Sequence, residues 1–545
     1  MTELDPDRPP RLESTMNCQS APRRRLGGLP FVCTLIAVGL AACRGASHHA
    51  PADGPPRSSD AGSDPAPVHP DTLSVVTHHN SRTRDGLYIA PTLTRAAVAH
   101  IHPDPGFHAA IRGPTYAHPL FYDAGAGGRD LVLVATEQND VYALDATSGA
   151  EVWHKNLGAP APLSALPCGN IDPLGVTGTP FLDEKGQRLY LDAMRLVGGA
   201  PKHRIFALSI ADGSVVAGWP AEGVDVDTSA RSGSFAFTSA TQNQRGALLV
   251  HDGVLYVPYG GHFGDCGTYR GWLVGVPVAH PDQVKAWATR AEGAGSWAPG
   301  GAASDGTSLY VSTGNGFGSP GWSDQEAIVR LQAGPQFSQD AADYWSPGNW
   351  KELDDGDVDL GGSGPVLIDV PGATPGKLAV ALGKDGNAYL IDRERMGGVA
   401  APVATLAASL DAIITAAAAF QPPAGGVNVI FHGTGVGCPG AQAGDLTALH
   451  VTAASPPKLS VAWCARQDGT GAPIVTTTDG RAESIVWTLG AEDSGQLRAF
   501  HGETGEVVFG GSGTSVGPYS RFVSPIVAKG RIYAAGTQGV YAFVP

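Results

Sequence analysis

The chain has 545 residues, of which 42% are hydrophobic and only 16% are charged, and its formal net charge is −15. The hydrophobic fraction is enough for a folded core, while so few charges exclude a long coiled coil or a charge-rich helical protein. An acidic surface repels phosphate backbones, so the composition also disfavours nucleic acid as a partner.

The first 43 residues read as an export signal. Three arginines (23–25) precede an apolar stretch over residues 29–42 that is too short to span a bilayer. The stretch ends in Leu-Ala-Ala-Cys at Cys43, which resembles a bacterial lipobox. The sequence therefore predicts lipidation at Cys43 and an outer-membrane lipoprotein, with ordinary cleavage after Ala42 as the alternative.

Acidic residues before Met16 are unlike the start of a signal, so either Met1 or Met16 is the start of the protein. Residues 44–75 are dominated by Pro, Ala, Ser, Asp, Gly and His without apolar periodicity, which predicts a flexible tether. Residues 76–545 are then expected to form a single all-β domain.

That domain repeats one pattern, a strand-length apolar run, a tight turn and a second run. The clearest copy is LVLVATEQNDVYALDATSGAEVW over residues 131–153. Runs rich in β-branched and aromatic residues favour strands, and turns such as KDGN favour hairpins. The copies are about 46 to 70 residues apart and begin near Leu131, Arg188, Gly253, Thr307, Lys377, Val427, Ser484 and Gly530.

Repeats of this kind must pack on their neighbours, and closing them in a circle removes long open sheet edges. The pattern predicts an eight-bladed β-propeller, with seven blades as the alternative. The chain ends on what reads as the third strand of the last blade. The missing outer strand is expected from Phe107–Arg112, which would join the two ends of the propeller.

Segments such as YALDATSGAEVW and QLRAFHGETGEVVF resemble the repeats of quinoprotein-type β-propellers, whose founding members are dehydrogenases that use pyrroloquinoline quinone (PQQ). In the family pattern Ala-x-Asp-x-x-Thr-Gly-x-x-x-Trp, the residues Ala143, Asp145, Gly149 and Trp153 match and Ser148 replaces Thr. The resemblance implies that these residues hold neighbouring blades together. Other segments, such as HHNSRT and STGNG, look like a group of secreted PQQ-like propellers without an assigned reaction.

A PQQ dehydrogenase of this family would need a Ca²⁺ ion held by carboxylate and amide oxygens, an Asp general base and a Trp under the quinone. No Cys-Cys pair of the kind found in many alcohol-oxidising members occurs here, and the ligand motifs cannot be aligned. The repeat motif is specific for the fold and uninformative about activity.

Six polar or aromatic residues are candidates for a central pocket because they lie in loops or at strand ends, where propellers bind ligands. Turn formation and capping are the alternative explanation for each of them. The six are Asn170, Asp172, Asp265, Tyr269, Trp297 and Asn315.

The acidic run at residues 354–359 places Asp355, Asp357 and Asp359 at alternate positions, as in a calcium loop. It lacks the Gly and Glu that an EF-hand loop requires, so a solvated turn is expected instead, and no metal site is predicted.

Four cysteines follow Cys43, an even number that fits an oxidising compartment. Cys438 and Cys464 flank one strand and form a plausible pair, which leaves Cys168 with Cys266. Buried free thiols are the alternative.

Two functions remain open from the sequence. The first is a lipid-anchored, non-catalytic propeller that binds a protein or glycan partner at the cell envelope. The second is a PQQ- and Ca²⁺-dependent dehydrogenase that oxidises an alcohol or sugar in the periplasm. The substrate or partner, the catalytic residues and the oligomeric state are not specified by these patterns.

Overall fold

A computed structural model describes residues 73–511 and 516–545, and the predicted signal, lipidation site and most of the tether lie outside this range. The described residues form an eight-bladed β-propeller, as the repeats predict. Each blade is built mainly from consecutive antiparallel strands. In chain order the blades comprise Leu120–Tyr122, Leu131–Ala135, Asp140–Asp145 and Glu151–Asn156 (blade 1); Phe181–Asp183, Arg188–Val197, Ala200–Ser209 and Val224–Asp225 (blade 2); Leu249–His251, Val254–Gly261, Trp272–Pro277 and Lys285–Ala288 (blade 3); Ala303–Ser304, Leu309–Thr313, Ala327–Leu331 and Tyr344–Ser346 (blade 4); Val366–Asp369, Lys377–Leu382, Asn387–Asp392 and Ala404–Ala407 (blade 5); Ala418–Phe420, Val427–His432, Leu446–Val451 and Leu459–Ala465 (blade 6); Ile474–Thr477, Ile485–Leu489, Leu497–His501 and Val507–Phe509 (blade 7); and Ile526–Ala528, Arg531–Ala535 and Gly539–Val544 (blade 8).

Short segments supplement the blades. Additional strands are Leu87–Ile89, His102–Pro103, Ala109–Ala110, Arg231–Ser232, Phe235–Ala236, Gln242–Asn243 and Gly398–Val399. The α-helices are Arg95–Val98, Val226–Ser229 and Trp350–Asp355, and the 3₁₀ turns are His78–Asn80, Leu163–Ala165, Ser239–Thr241, Ala341–Asp343 and Leu360–Gly362. None of the helices in the described residues is long and apolar enough to cross a membrane.

Blade 8 is completed by residues from the start of the domain. Ala109 and Ala110 pair antiparallel with Val540 and Gly539 of the last strand, and His102–Pro103 pairs with the same strand further along. The outer edge of blade 8 therefore comes from the region that the sequence analysis proposed, which joins the N-terminal and C-terminal parts of the propeller.

Tryptophan side chains connect successive blades. Trp153 of blade 1 donates its indole N–H to the carbonyl of Ile210 in blade 2 at 2.7 Å, and a side chain at Gly213 would collide with the Trp153 indole. The same arrangement recurs between blades 6 and 7, where Trp463 donates to Gly502 at 2.9 Å. The repeated Trp therefore holds a blade to the next one by a buried hydrogen bond and by packing.

The other matched residues of the repeat shape the turn that precedes this Trp. Asp145 Oδ1 accepts the backbone N–H groups of Thr147 and Ser148, and Gly149 adopts a φ of 75°. A Cβ at Gly149 would also lie 2.7 Å from the backbone of His108, on the segment that closes blade 8. Glycine is required here both by the positive φ and by this close approach.

The N-terminal segment forms a belt across the inner strands of the blades. The carbonyl groups of the belt (residues 75–92) accept hydrogen bonds from inner-strand amides, or amides next to them, of blades 1, 2, 4, 5, 6 and 7. The donor–acceptor distances lie between 2.6 and 3.1 Å for Phe121 N to Val75 O, Leu182 N to Val76 O, Ser304 N to Arg82 O, Leu367 N to Thr83 O, Ala419 N to Asp85 O and Val475 N to Gly86 O. The propeller therefore includes Val75, and the belt runs along the inner strands of the blades.

The belt carries a buried cluster of histidines. His78 lies between His79 and His118, with ring centroids 4.2 and 3.9 Å away. Burial, together with neighbouring positive groups, lowers the pKa of His79 to about 3, and burial lowers the pKa of His118 to about 4. Arg84 supplies the positive charge and donates to the carbonyls of His78, Leu248 and Ala302. The histidines are therefore neutral at pH 7.

Both expected disulfides are present. Cys168 pairs with Cys266, which joins loops of blades 2 and 3, and Cys438 pairs with Cys464 within blade 6.

Candidate functional site

Side chains from the connections before blades 3, 4, 5 and 8 and from a hairpin turn of blade 5 lie close together. Because these blades are distributed around the circle, we call this cluster the axial site. The axial site consists of Arg245, Trp297, Asp359, Lys384 and Phe522.

Trp297 is the aromatic platform of the axial site. Its side chain is partly exposed, and Cβ atoms at Gly260 and Gly362 would lie 2.9 and 3.1 Å from Trp297, so glycine at these two positions leaves room for the tryptophan. The guanidinium carbon of Arg245 lies 5.6 Å from the centre of the Trp297 ring, and Lys384 Nζ also lies 5.6 Å from it. Two cations therefore flank one aromatic surface.

Among the described residues Arg245 has no ion-pair partner, although Tyr116 and Glu137 interact with it electrostatically and act to raise its pKa. It packs 5.5 Å from the Phe522 ring, its Nε is buried without a hydrogen bond, and no described residue forms an ion pair or hydrogen bond with it. Burial lowers its pKa to about 10, so the guanidinium remains charged at neutral pH. Arg245 is partly buried and forms no ion pair, which makes its guanidinium a candidate for contact with an anion.

Asp359 lies beside the same tryptophan. Its Oδ1 accepts the backbone N–H of Asn315 at 2.7 Å, and its Oδ2 forms an ion pair with Lys384. A Cβ at Gly314 would collide with Oδ1 of Asp359 and lie 3.1 Å from the indole nitrogen of Trp297. Burial raises the pKa of Asp359, while Lys384 acts in the opposite direction.

Glu326 extends the acidic side of the site. Its Oε2 accepts the backbone N–H of Leu360 at 2.6 Å, and its Oε1 is buried without a partner. Burial, together with the nearby Asp359 carboxylate, raises the pKa of Glu326 to about 9. The carboxyl is therefore protonated at neutral pH and adds no negative charge beside Asp359.

The structure brings together some of the six residues proposed from sequence. Trp297 and the backbone of Asn315 belong to the axial site. Tyr269 is buried nearby: Gly261 packs against its ring, Asp265 accepts its hydroxyl hydrogen at 2.6 Å, and Asp359 contributes to raising its pKa.

Asn170 and Asp172 do not enter the axial site. Both are exposed, and Asp172 accepts the backbone N–H of Leu163 at 3.0 Å, as a turn-forming residue does. Their loop is tied to the Asp265 loop by the Cys168–Cys266 disulfide.

Sequence reasoning missed Arg245, Lys384 and Phe522, and it interpreted Asp359 as part of a solvated acidic turn. Asp355 and Asp357 are exposed, whereas Asp359 is buried. Lys384 lies in the KDGN hairpin turn, so its signal was obscured by a turn pattern that explains the same residues. No pattern around Arg245 distinguishes it.

The axial site does not have the donor set of a metal centre. Within residues 73–511 and 516–545, no group of three or more His, Cys, Asp or Glu side chains is arranged to hold a metal ion. The ammonium of Lys384 occupies one oxygen of Asp359, where a Ca²⁺ ion would need a free carboxylate oxygen.

These features belong to an eight-bladed propeller with an axial, positively charged aromatic site. No protein-family model and no curated protein sequence matches the chain. Solved structures do match its fold.

The quinohemoprotein alcohol dehydrogenase of Comamonas testosteroni is 16% identical, with a TM-score of 0.56, and the match covers 87% of this chain and 81% of that one. The corresponding enzyme ADHIIG of Pseudomonas putida HK5 is 13% identical, with a TM-score of 0.55 and coverage of 86% and 80%. A europium-containing methanol dehydrogenase is also 13% identical, with a TM-score of 0.54 and coverage of 86% and 91%. At these identities the similarity establishes the fold alone.

Proposed function

We propose that the axial site binds a planar organic anion on the face of Trp297, and that a quinone of the PQQ type is the ligand it suits best. The observation that carries this proposal is the guanidinium of Arg245, which forms no ion pair or hydrogen bond with a described residue and lies beside a partly exposed indole. A carboxylate of the ligand would supply the missing counter-charge, and the indole would stack on the flat ring system.

The quinone and the metal must be considered separately. Trp297, Arg245 and Lys384 suit a flat anion, and Asp359 is close enough to the indole to face a ligand that stacks there. The oxygen donors do not suit a resident Ca²⁺ ion, because Lys384 already neutralises Asp359. We therefore propose that the ammonium group of Lys384, and not a metal ion, neutralises the Asp359 carboxylate.

We extend the proposal from quinone binding to dehydrogenase activity, in which an alcohol is oxidised at the axial site. A bound quinone supplies the two-electron acceptor in such a reaction. Asp359 can accept the hydroxyl proton of an alcohol, because its ionised form is stabilised by Lys384 and by the N–H of Asn315. Glu326 is protonated at neutral pH, so it adds no second negative charge beside Asp359.

A non-catalytic role at the cell envelope is the second candidate. It is favoured by two exposed aromatic side chains, Phe263 on the disulfide-linked loop and Phe317 against Tyr269, which are 64% and 39% exposed. Such residues are typical of surfaces that contact a protein or glycan. The proposed lipid anchor at Cys43 lies outside the described residues.

Calorimetric titration of the full chain with PQQ, with and without Ca²⁺, tests the binding proposal. We expect stoichiometric binding that does not depend on Ca²⁺. Arg245→Met should weaken it by about tenfold to a hundredfold, because a charge-assisted hydrogen bond is lost. Arg270→Met is the matched control. The guanidinium carbon of Arg270 lies 3.8 Å from the centre of the Phe235 ring, and Arg270 is not one of the five residues of the axial site.

Dye reduction over a panel of alcohols and sugars separates the two candidates. If the protein is a dehydrogenase, Asp359→Asn should abolish dye reduction and retain quinone binding. Quinone binding without dye reduction on any substrate supports a binding protein, and no quinone binding by the wild-type chain overturns the proposal.

A further inference from the structure

A disulfide joins two loops that come from different parts of the propeller. Cys168 lies in the connection that leads into blade 2, and Cys266, 98 residues later, lies between the second and third strands of blade 3. Among the described residues, no hydrogen bond or ion pair joins residues 162–172 to residues 262–268. The attachment of one loop to the other therefore depends on the disulfide.

The Asp265 loop (residues 262–268) is held firmly only at its ends. Hydrogen bonds join these ends to residues 240 and 241, whereas residues 263–265 between them are exposed to solvent. Apart from a backbone turn within the loop, two contacts hold its middle in the described part of the chain. They are the disulfide at Cys266 and a hydrogen bond between Asp265 and Tyr269.

Tyr269 connects the Asp265 loop to the axial site. Its hydroxyl donates to Asp265 at 2.6 Å, and its ring lies on Gly261, where a Cβ would be 2.5 Å from the ring. Trp297 packs against the residue before Gly261, so the two aromatic side chains contact the same strand end. Burial, Asp265 and Asp359 together raise the pKa of Tyr269, which places its hydroxyl within the electrostatic reach of Asp359. Movement of the loop would therefore change the surroundings of Asp359.

A small reductant can reach this disulfide. Cys168 and Cys266 are both partly exposed, whereas Cys464 of the second disulfide is buried. Thiol–disulfide exchange requires a thiolate to approach one of the two sulfur atoms. The disulfide between the loops is therefore expected to react before the one within blade 6.

We propose that the Cys168–Cys266 disulfide is a redox switch for ligand binding at the axial site. A dithiol supplies two electrons and two protons; the S–S bond breaks, two thiols form, and the dithiol becomes a disulfide. The Asp265 loop is then free to move, and the carboxylate of Asp265 no longer fixes the hydroxyl of Tyr269. This inference rests on the proposed ligand binding at the axial site, and reduction weakens that binding because the loop must be ordered again.

Limited proteolysis tests whether the disulfide restrains the loop. Chymotrypsin cleaves after aromatic residues, and the exposed Phe263 offers such a position on the loop. Replacing Cys168 and Cys266 together by Ser should raise the rate of cleavage after Phe263 by about tenfold, because the loop can then open locally. Replacing Cys438 and Cys464 together by Ser is the matched control and should leave this rate unchanged. Equal rates in the wild type and the first variant would overturn the proposal.

Calorimetric titration of the full chain with PQQ tests the effect on the axial site. The variant without Cys168 and Cys266 should bind PQQ about tenfold more weakly than the wild type. Wild-type protein that has been reduced with dithiothreitol, alkylated with iodoacetamide and desalted should show the same loss. The desalting step is needed because thiols react with quinones. The variant without Cys438 and Cys464 should bind PQQ like the wild type.

Tyr269→Phe tests whether the effect passes through the Asp265 hydrogen bond. It keeps the ring on Gly261 and removes the hydroxyl, so adding the Cys168→Ser and Cys266→Ser changes should then alter PQQ binding by less than about twofold. An oxidised wild type that does not bind PQQ overturns the proposed function and this inference together. Equal PQQ binding with and without the disulfide, or a further tenfold loss in the combined variant, overturns this inference alone.

Discussion

Replacement of His118 by Gln should make the protein less sensitive to acid. In the folded protein burial lowers the pKa of His118 to about 4, whereas a histidine in an unfolded chain has its usual pKa of about 6.5. Below pH 6.5 this histidine is protonated in the unfolded chain but stays neutral in the folded protein. The free energy of unfolding therefore falls as the pH falls towards 4. The magnitude is about 1.4 kcal/mol per pH unit, or about 2 kcal/mol between pH 6.5 and 5.

The comparison must be made between variants, because other groups act in the opposite direction. Burial raises the pKa of Glu137 to about 7 and that of Glu326 to about 9. Each carboxyl is protonated at a higher pH in the folded protein than in the unfolded chain. Protonation of each group therefore stabilises the fold as the pH falls from its folded pKa towards 4.5. Both proteins contain Glu137 and Glu326, so the contributions of these two carboxyls cancel when the free energy of unfolding of His118→Gln is subtracted from that of the wild type.

Urea unfolding at several pH values between 6.5 and 5 gives the required free energies. Gln can retain a hydrogen bond to Ser524 or to the carbonyl of Phe522, both of which His118 contacts. We expect the stability of the wild type to fall by about 2 kcal/mol relative to the variant over this range. His102→Gln, at an exposed position, should run parallel to the wild type. Parallel curves for His118→Gln would refute the neutral histidine cluster.

Three further predictions concern stability. Trp463→Phe should lower the free energy of unfolding by about 2–3 kcal/mol in urea titrations, because it removes packing and leaves the carbonyl of Gly502 without its donor. Replacing Cys438 and Cys464 together by Ser should cost about 3.5 kcal/mol under oxidising conditions, from the loop that the disulfide closes, and nothing under reducing ones. Burial acts to lower the pKa of His203, but Asp192, together with the Gln242 carbonyl and Asp227, raises it overall; this stabilisation is complete below pH 6.5 and is lost as the pH rises through the raised pKa. In pH-dependent unfolding, His203→Gln should lack that loss, and a stability difference between the wild type and His203→Gln that does not shrink over the same range would contradict the ion pair.

The repeat pattern predicted the fold because blade formation depends on local signals. Alternating apolar runs, hairpin turns and the Ala143–Trp153 copy of the family pattern each report on a few neighbouring residues. The eight blades, the closing strand near Ala109 and both disulfides followed from such signals. The belt was not predicted, because its hydrogen bonds join backbone groups to six separate blades and leave no periodicity in HHNSRT.

The axial site was only partly accessible from sequence. Trp297 stood out as an isolated aromatic residue before a strand, and Tyr269 and Asn315 as polar groups in glycine-rich segments. Arg245, which precedes blade 3, and Asp359 and Lys384, which belong to blade 5 and the connection before it, lie close together only in the folded propeller. The burial of Asp359, its ion pair with Lys384 and the lack of an ion pair at Arg245 are tertiary properties that cannot be read from residue type.

The most direct test of the axial site is a crystal structure of the protein grown with PQQ. We expect electron density for the quinone over the indole of Trp297, with a ligand carboxylate in contact with the guanidinium of Arg245 and no metal ion between the ligand and Asp359. An empty axial site at saturating PQQ, or a quinone bound away from Trp297, would contradict the central claim.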